Sequence, residues 1–329
     1  MTALAPTLQA FFTDRLIRER DASPQTITAY RDAWRLLLGF AATTSGRQPF
    51  HLDINDLDVD VVTGFLDHLE HDRHNSIRTR NARLAAIHSL FRYAALRHPE
   101  HAATIQRVLA IGPKRYDRTL VTFLTTTETD SLLAAPDLST WTGRRDHALF
   151  TLAVQTGLRI SELIGINHSD IHLGTGAYVR CHGKGRKERI TPLTTPTVTT
   201  ITGWLHEQAG QSDDPVFPTR QGRRLSRDAI EHRLNIHTLT AAERCPTLAT
   251  KNVTCHVLRH TAAMRLLEAG VDTTVIALWL GHEQIDTTAI YLHADLSIKE
   301  RALARTTQPG VTPGRYRPPD QLLAFLQAL

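Results

Sequence analysis

Cysteine is scarce. The 329 residues hold only Cys181, Cys245 and Cys255, too few and too scattered for a disulfide framework, so a reducing compartment fits. Long apolar runs are missing too. No stretch reaches the ~18 consecutive apolar residues that a membrane span needs. Residues 1–6 carry no basic segment leading into an apolar one, so no secretory signal is expected. Nor does any segment repeat at a solenoid period. These absences point to a soluble, cytoplasmic protein.

What is present suits two domains. Hydrophobic residues make up 41% of the chain, enough for real cores, and domains commonly run ~100–200 residues. The formal net charge is +5 and the pI about 9.3. That mild basicity permits a polyanionic partner without requiring one. Near neutral pH some of the 18 histidines can add positive charge.

The first ~110 residues read as four or five helices. Leu8, Phe11, Phe12 and Leu16 have helical spacing. Ser23-Pro24 reads as an N-cap followed by proline at the first helical position. Ile27, Tyr30, Trp34, Leu37 and Leu38 then form one face, with Arg31 and Arg35 on the other. Asp58 opens a third helix, with Val61, Val62, Phe65 and Leu69 inward. Ser76 or Thr79 opens a fourth, which keeps Arg78, Arg80, Arg83 and Arg92 on its polar side. The pattern fits either a small bundle with solvated arginines or a DNA clamp whose arginines neutralise phosphates.

Gly112-Pro113-Lys114-Arg115 combines chain breakers with charge and marks a linker. We place an N-terminal helical domain at 1–111, a basic linker at 112–122, a second domain at 123–300 and a Pro-rich tail at 301–329. Within the second domain, Gly157 closes a helix from Arg144, and Arg159 and Glu162 follow at i, i+3, opposite Ile160, Leu163 and Ile164. Residues 177–193 read as a β-hairpin with Gly183-Lys184-Gly185 at its tip. Five Lys or Arg lie between 180 and 189 against one Glu. A phosphate-cradling P-loop is excluded, because neither Ser nor Thr follows Gly183-Lys184. Arg223, Arg224 and Arg227 form a basic turn leading into a helix from Ser226. Thr254 caps a helix over 256–269. Asp272 caps the next, with Val275, Leu278 and Trp279 inward and Gly281 closing it. Asp286 caps a last short helix with Tyr291. In the tail, Asp320 caps an apolar segment ending at Leu329. Nine residues are too few for an isolated helix in water, so this segment must dock on something.

Two arginines (Arg159, Arg259), two histidines (His256, His282), Lys184 and Tyr291 suit one task, namely holding a phosphodiester while a phenolic oxygen attacks it. Guanidinium forks match phosphate oxygens and stay charged. Tyr291 titrates ordinarily near ~10, so as a nucleophile it needs neighbouring cations. His256 accepts its proton or bonds a phosphate oxygen, and His282 serves another nonbridging oxygen. Glu162 and His260 are supporting residues. Each has a plainer alternative: a core tyrosine, surface ion pairs, a charged hairpin tip. A zinc site on His256 and His260 at i, i+4 lacks the glutamate that would follow the first histidine, since that position is Val257. Cys245 and Cys255 keep zinc among the alternatives.

In order, Arg159, Lys184, His256-Val257-Leu258-Arg259, Leu280-Gly281-His282 and Tyr291 resemble the tyrosine recombinases, the family of phage integrases and XerC/XerD-type resolvases. The resemblance spans roughly residues 7 to 300. Ser23-Pro24-x-Thr26…Tyr30 and Arg78-x-x-Asn81-Ala82-Arg83…Phe91-Arg92-Tyr93 look like the family's N-terminal core-binding domain.

The resemblance implies a mainly α fold with a small β-sheet or hairpin: a two-domain DNA clamp with an α+β catalytic domain. It implies a site-specific recombinase that cleaves and rejoins DNA through a 3′-phosphotyrosyl bond, without metal or ATP, tetrameric on two sites. Lys184 becomes the general acid for the 5′ oxygen. The terminal helix would dock on a neighbouring protomer, and a second recombinase or accessory protein could take part. Such an enzyme works at the nucleoid. The expected DNA contacts are Arg31, Arg35, Arg78, Arg80, Arg83, Lys114, Arg115, Arg186, Lys187, Arg223, Arg224 and Arg227. The Pro-rich tail departs from the XerC/XerD pattern and leaves room for a mobile-element role. Alternatives are a type IB topoisomerase-like enzyme and a non-catalytic DNA-binding accessory protein.

Overall fold

The structure is a computed structural model, and it describes residues 4–116, 121–182, 188–208 and 210–281. The chain divides into two compact units, Met1–Arg118 and Thr119–Leu329.

The first unit is helical. α1 (Leu4–Ala10) runs on into a π-helical segment, Phe11–Glu19. α2 (Pro24–Ser45), α3 (Val59–His71), α4 (Ile77–Ala95) and α5 (Ala102–Leu109) follow. The side chains expected to start these helices do so. Ser23 Oγ accepts from the Thr26 amide, Asp58 from Asp60 and Val61, and Ser76 from Thr79, each satisfying an amide that the first turn leaves orphaned. One core gathers Phe11, Trp34, Leu37, Phe65, Leu69, Ile87 and Phe91. Burying each such side chain contributes about 1.5–3 kcal/mol.

The second unit begins with α6 (Thr126–Leu133), where Thr125 and Glu128 form a capping box. α7 (Trp141–Thr156) starts three residues before the expected Arg144, because Thr140 caps it through the Gly143 amide. A Cβ at Gly143 would meet the Asp137 carbonyl at 1.9 Å, so only glycine allows that turn. α8 (Ile160–Gly165) leads to a three-stranded antiparallel sheet ordered β1-β2-β3: Ile171–His172, Tyr178–His182 and Glu188–Pro192. β2 and β3 make the expected hairpin, with Cys181 opposite Arg189 and His182 opposite Glu188. β1, two residues long, is too short for a sequence pattern and was not expected.

α9 (Thr195–Gln208), α10 (Arg227–Ala242), α11 (Cys255–Glu268) and α12 (Thr273–Leu280) complete the described part. Ser226, Thr254 and Asp272 cap the last three as expected. The main core joins α7, the sheet, α9 and α10. A smaller one packs Ala263, Met264 and Leu267 of α11 against Ile276 and Leu280 of α12.

The expected inward face of α12 needs correction. Val275 and Leu278 are 48% and 72% exposed, whereas Ile276, Ala277 and Leu280 are buried. Residues 275–280 are apolar at every position, so periodicity could not choose a face; packing on α11 chose it.

Candidate active site

The site is built on a turn. α7 ends at Gly157 in the left-handed region, φ +65°, which glycine occupies without the usual penalty. A Cβ there would lie 2.7 Å from Leu280 Cδ2 and 3.0 Å from Ala262 Cβ. The bare backbone therefore packs directly on α11 and α12. Two residues later Arg159 stands at the N-cap of α8. The Arg159 amide donates to Glu162 Oε2 at 2.7 Å, and its Nη1 to Oε1 at 2.9 Å.

Three guanidiniums grip three successive carbonyls at the end of α12. Arg189 Nε donates to the Trp279 carbonyl at 3.1 Å. Arg259 Nη2 donates to Leu280 O, and Arg159 Nη2 to Gly281 O, both at 2.7 Å. The last carbonyls of a helix lack intrahelical partners and carry the negative end of its dipole, so cations are well placed there. Arg259, 3% exposed, also donates from Nη1 to Gly157 O at 2.7 Å. Arg159 and Arg259 therefore meet on the turn that runs into His282. The Arg159 side chain remains 37% exposed, with N–H groups left to serve a ligand.

Glu162 sits inside, not opposite the apolar residues of α8, with its side chain 3% exposed. Arg189 Nη1 and Nη2 reach its two oxygens, each at 2.8 Å. Burial alone would raise the Glu162 pKa. Hydrogen bonds from Arg189 and the Arg159 amide, with both positive charges, outweigh burial and hold it below the ordinary value. For Arg189, burial would lower the pKa, and its bonds to Glu162 raise it instead. Arg189 is the residue that sequence reasoning missed. It is one of five basic residues in ten, and only its place opposite buried Cys181 distinguishes it.

His256 and His260 share one side of α11, their ring centroids 4.2 Å apart at 67°. His256 is exposed and His260 half-buried. Cys245 and Cys255 are buried, and burial pushes the Cys255 thiol up to about 12, opposing the thiolate that a metal would need. Among the described residues no group of three or more His, Cys, Asp or Glu could hold a metal ion. Lys184, Arg186, Lys187, His282 and Tyr291 lie outside the described residues, as do the Pro-rich tail and its terminal helix.

The expected DNA contacts divide. Arg31, Arg35, Arg78, Arg115, Arg223 and Arg227 are exposed. Arg80 is not on the polar face expected for it. It is 4% exposed, with Nε 3.0 Å from Glu70 Oε1, because its position on α4 faces α3. Arg83 is half-buried, and burial lowers its pKa. Lys114 pairs with Glu70 at 2.7 Å. Arg224 spends its guanidinium on Ile164 O and Asn167 Oδ1. A groove of about 250 Å³ beside Tyr93 joins Arg92, already placed on the polar side of its helix, to Arg15, Arg20 and Arg97, which the sequence did not single out.

Residues 122–297 match the Phage integrase family, and residues 10–98 match its N-terminal SAM-like domain. The chain belongs to the phage integrase family. These tyrosine recombinases are DNA strand-transferring enzymes, as the order of residues implied. A protein named as the integrase/recombinase y4rC of Sinorhizobium fredii is 52% identical over 99% of this chain and 98% of its own length. The tyrosine recombinase XerC of Chlamydia caviae is 34% identical over 68% of this chain and 70% of its own. Among solved structures, a lambda integrase tetramer bound to a Holliday junction shares the fold with a TM-score of 0.61. It is 17% identical, covering 87% of this chain and 76% of that one. The mainly helical, two-domain recombinase architecture is thus the one the motifs implied. No helix among the described residues is long and apolar enough to cross a membrane.

Proposed function

We propose that this recombinase binds a specific double-stranded DNA site and exchanges strands through a covalent bond between Tyr291 and a 3′ phosphate. Arg159 and Arg259 hold the nonbridging oxygens. His256 and His282 stabilise the same phosphate, and His256 takes the Tyr291 proton. The phenolic oxygen bonds to phosphorus as the P–O5′ bond breaks, and Lys184 gives a proton to the departing 5′ oxygen. The ester conserves the bond, so attack by another 5′ hydroxyl rejoins DNA without ATP. Neither metal nor cofactor takes part.

The observation that carries this reading is the grip of Arg159 and Arg259 on Leu280 O and Gly281 O. It fixes two forks beside the residue that precedes His282, and preorganised donors are what charge developing on a phosphate requires. Family membership and the DNA-bound lambda integrase tetramer support a DNA partner and a tetramer on paired sites. We further propose domains at 1–111 and 123–300 joined by a basic linker, trans-docking of the terminal helix, and action in the cytoplasm at the nucleoid.

The test is the chemistry of the ends. Cleavage of a nicked target duplex should release a strand whose 5′ end a kinase labels directly, with protein held on the 3′ side. A 5′ phosphate on the released strand would overturn the mechanism. Deleting 319–329 should weaken assembly on paired sites and spare single-site binding; unchanged assembly would remove the docking role.

A further inference from the structure

Arg189 lies on the inward face of β3. Its immediate neighbours Glu188 and Ile190 are exposed, while Thr191, two residues on and on the same face, is fully buried. It pairs across the ladder with Cys181, one step from the last pair, His182 with Glu188. Lys184 follows His182 by two residues in the sequence and lies outside the described residues. The guanidinium has three hydrogen bonds, two to Glu162 and one to Trp279 O. Every hydrogen bond among the described residues that joins β3 to Glu162 or to α12 runs through this one side chain. The space for it comes from Gly281, where a Cβ would sit 2.9 Å from Arg189 Nη1.

We propose that Arg189 is a positioning residue for proton transfer: it locks the base of the β2–β3 hairpin to the arginine clamp, and so sets where Lys184 reaches the departing oxygen. The proposal rests on the reading of Lys184 as the proton donor. The clamp itself does not depend on Arg189. Arg159 keeps two bonds to Glu162 and one to Gly281 O, and Arg259 keeps Gly157 O and Leu280 O. What Arg189 supplies, among the described residues, is the hydrogen-bonded tie between β3 and the clamp. Without it the His182–Glu188 end of the ladder loses its side-chain anchor while the rest of the sheet stays held, and misplacing a catalytic group by ~1 Å can cost on the order of 100-fold in rate.

The experiment is single-turnover cleavage of two nicked duplexes that differ in one atom. One has the ordinary 5′ oxygen as leaving group. The other has sulfur, which departs as a thiolate without a proton donor. Wild type, Lys184→Ala, Arg189→Ala and the double variant are compared. Arg189→Ala should slow the oxygen substrate on the order of 100-fold, within the ~10²–10⁴-fold range that general acid catalysis supplies, while DNA affinity stays within about 3-fold. On sulfur its defect should collapse to below about 5-fold, as should that of Lys184→Ala. Because both act on one step, the double variant should be no slower than Lys184→Ala by more than about 3-fold.

Rescue of Lys184→Ala but not of Arg189→Ala would overturn the role of Arg189 and leave that of Lys184 standing. No rescue of Lys184→Ala would overturn the proton-donor reading, and this proposal with it. Should Arg189→Ala not fold, Arg189→Lys is read in its place. An ammonium keeps the charge beside Glu162 but cannot fork onto both oxygens and also reach Trp279 O. It should show a smaller defect that sulfur also removes; a defect equal on both substrates would refute the proposal.

Discussion

Replacing Glu162 with glutamine removes a charge that two arginines share, and the cost can be worked from their exposure. The Glu162 and Arg189 side chains are 3% and 14% exposed, so the variant leaves a buried guanidinium without its counterion. Breaking such a pair from one side costs about 3–5 kcal/mol. The Arg159 side chain is 37% exposed, and solvent screens its share to about 0.2–1 kcal/mol. Glutamine keeps one acceptor, so the low end, about 3 kcal/mol, is expected. For a unit of about 150–250 residues this lowers Tm by roughly 6–12 °C, at about 2–4 °C per kcal/mol.

The effect has a pH signature. The folded Glu162 pKa lies below its ordinary 4.5, so its stabilisation is complete above that value. It is lost as the pH falls through the depressed folded pKa. Urea melts of both proteins at pH 7 and in steps below 4.5 should therefore show a gap that narrows in acid. No gap at pH 7, or one that persists unchanged in acid, would refute the reasoning.

Three further substitutions have defined outcomes. Gly157→Ala pays left-handed strain of about 1–2 kcal/mol and also collides with Leu280 and Ala262, whereas a Cβ at Gly176, φ +73°, meets nothing within 4 Å. Thermal melts should show Gly157→Ala as the costlier by at least about 1 kcal/mol, and it alone should slow cleavage, because Arg259 rests on the Gly157 carbonyl. In the first unit, Arg80→Ala removes a buried guanidinium but leaves Glu70 paired with Lys114, and should destabilise by about 1 kcal/mol. Exposed Arg78→Ala should leave melting within about 0.5 kcal/mol while reducing the salt dependence of DNA binding by about one ion.

Much of the architecture was legible because its signals are local. Ser23, Asp58, Ser76, Ser226, Thr254 and Asp272 each cap the helix expected of them, since a hydroxyl or carboxylate ahead of an apolar run has one cheap use. Gly157 was legible as a helix stop, though its second role, bare contact with α11 and α12, was not. The residues of the clamp were legible through their order along the chain. Their manner of engagement was not: no pattern tells that three arginines from three elements take three consecutive carbonyls. Arg189 was hidden for that reason, among basic neighbours of identical type. Arg80 misled because an arginine in a basic helix reads as solvated until Glu70 faces it from α3. On α12, six apolar residues in a row left the face to be chosen by tertiary packing.

The central claim is that Tyr291 carries the DNA strand. It is tested most directly by covalent capture in the native host: wild type and Tyr291→Phe are expressed, lysates are denatured, and protein-linked DNA is isolated and sequenced. The account predicts adducts at one recurring sequence in the wild type, with the phosphodiester mapped to the peptide holding Tyr291, and none in Tyr291→Phe despite intact DNA binding. Adducts that persist in Tyr291→Phe, or that map to another residue, would contradict it, and adducts scattered without sequence preference would favour a topoisomerase-like enzyme.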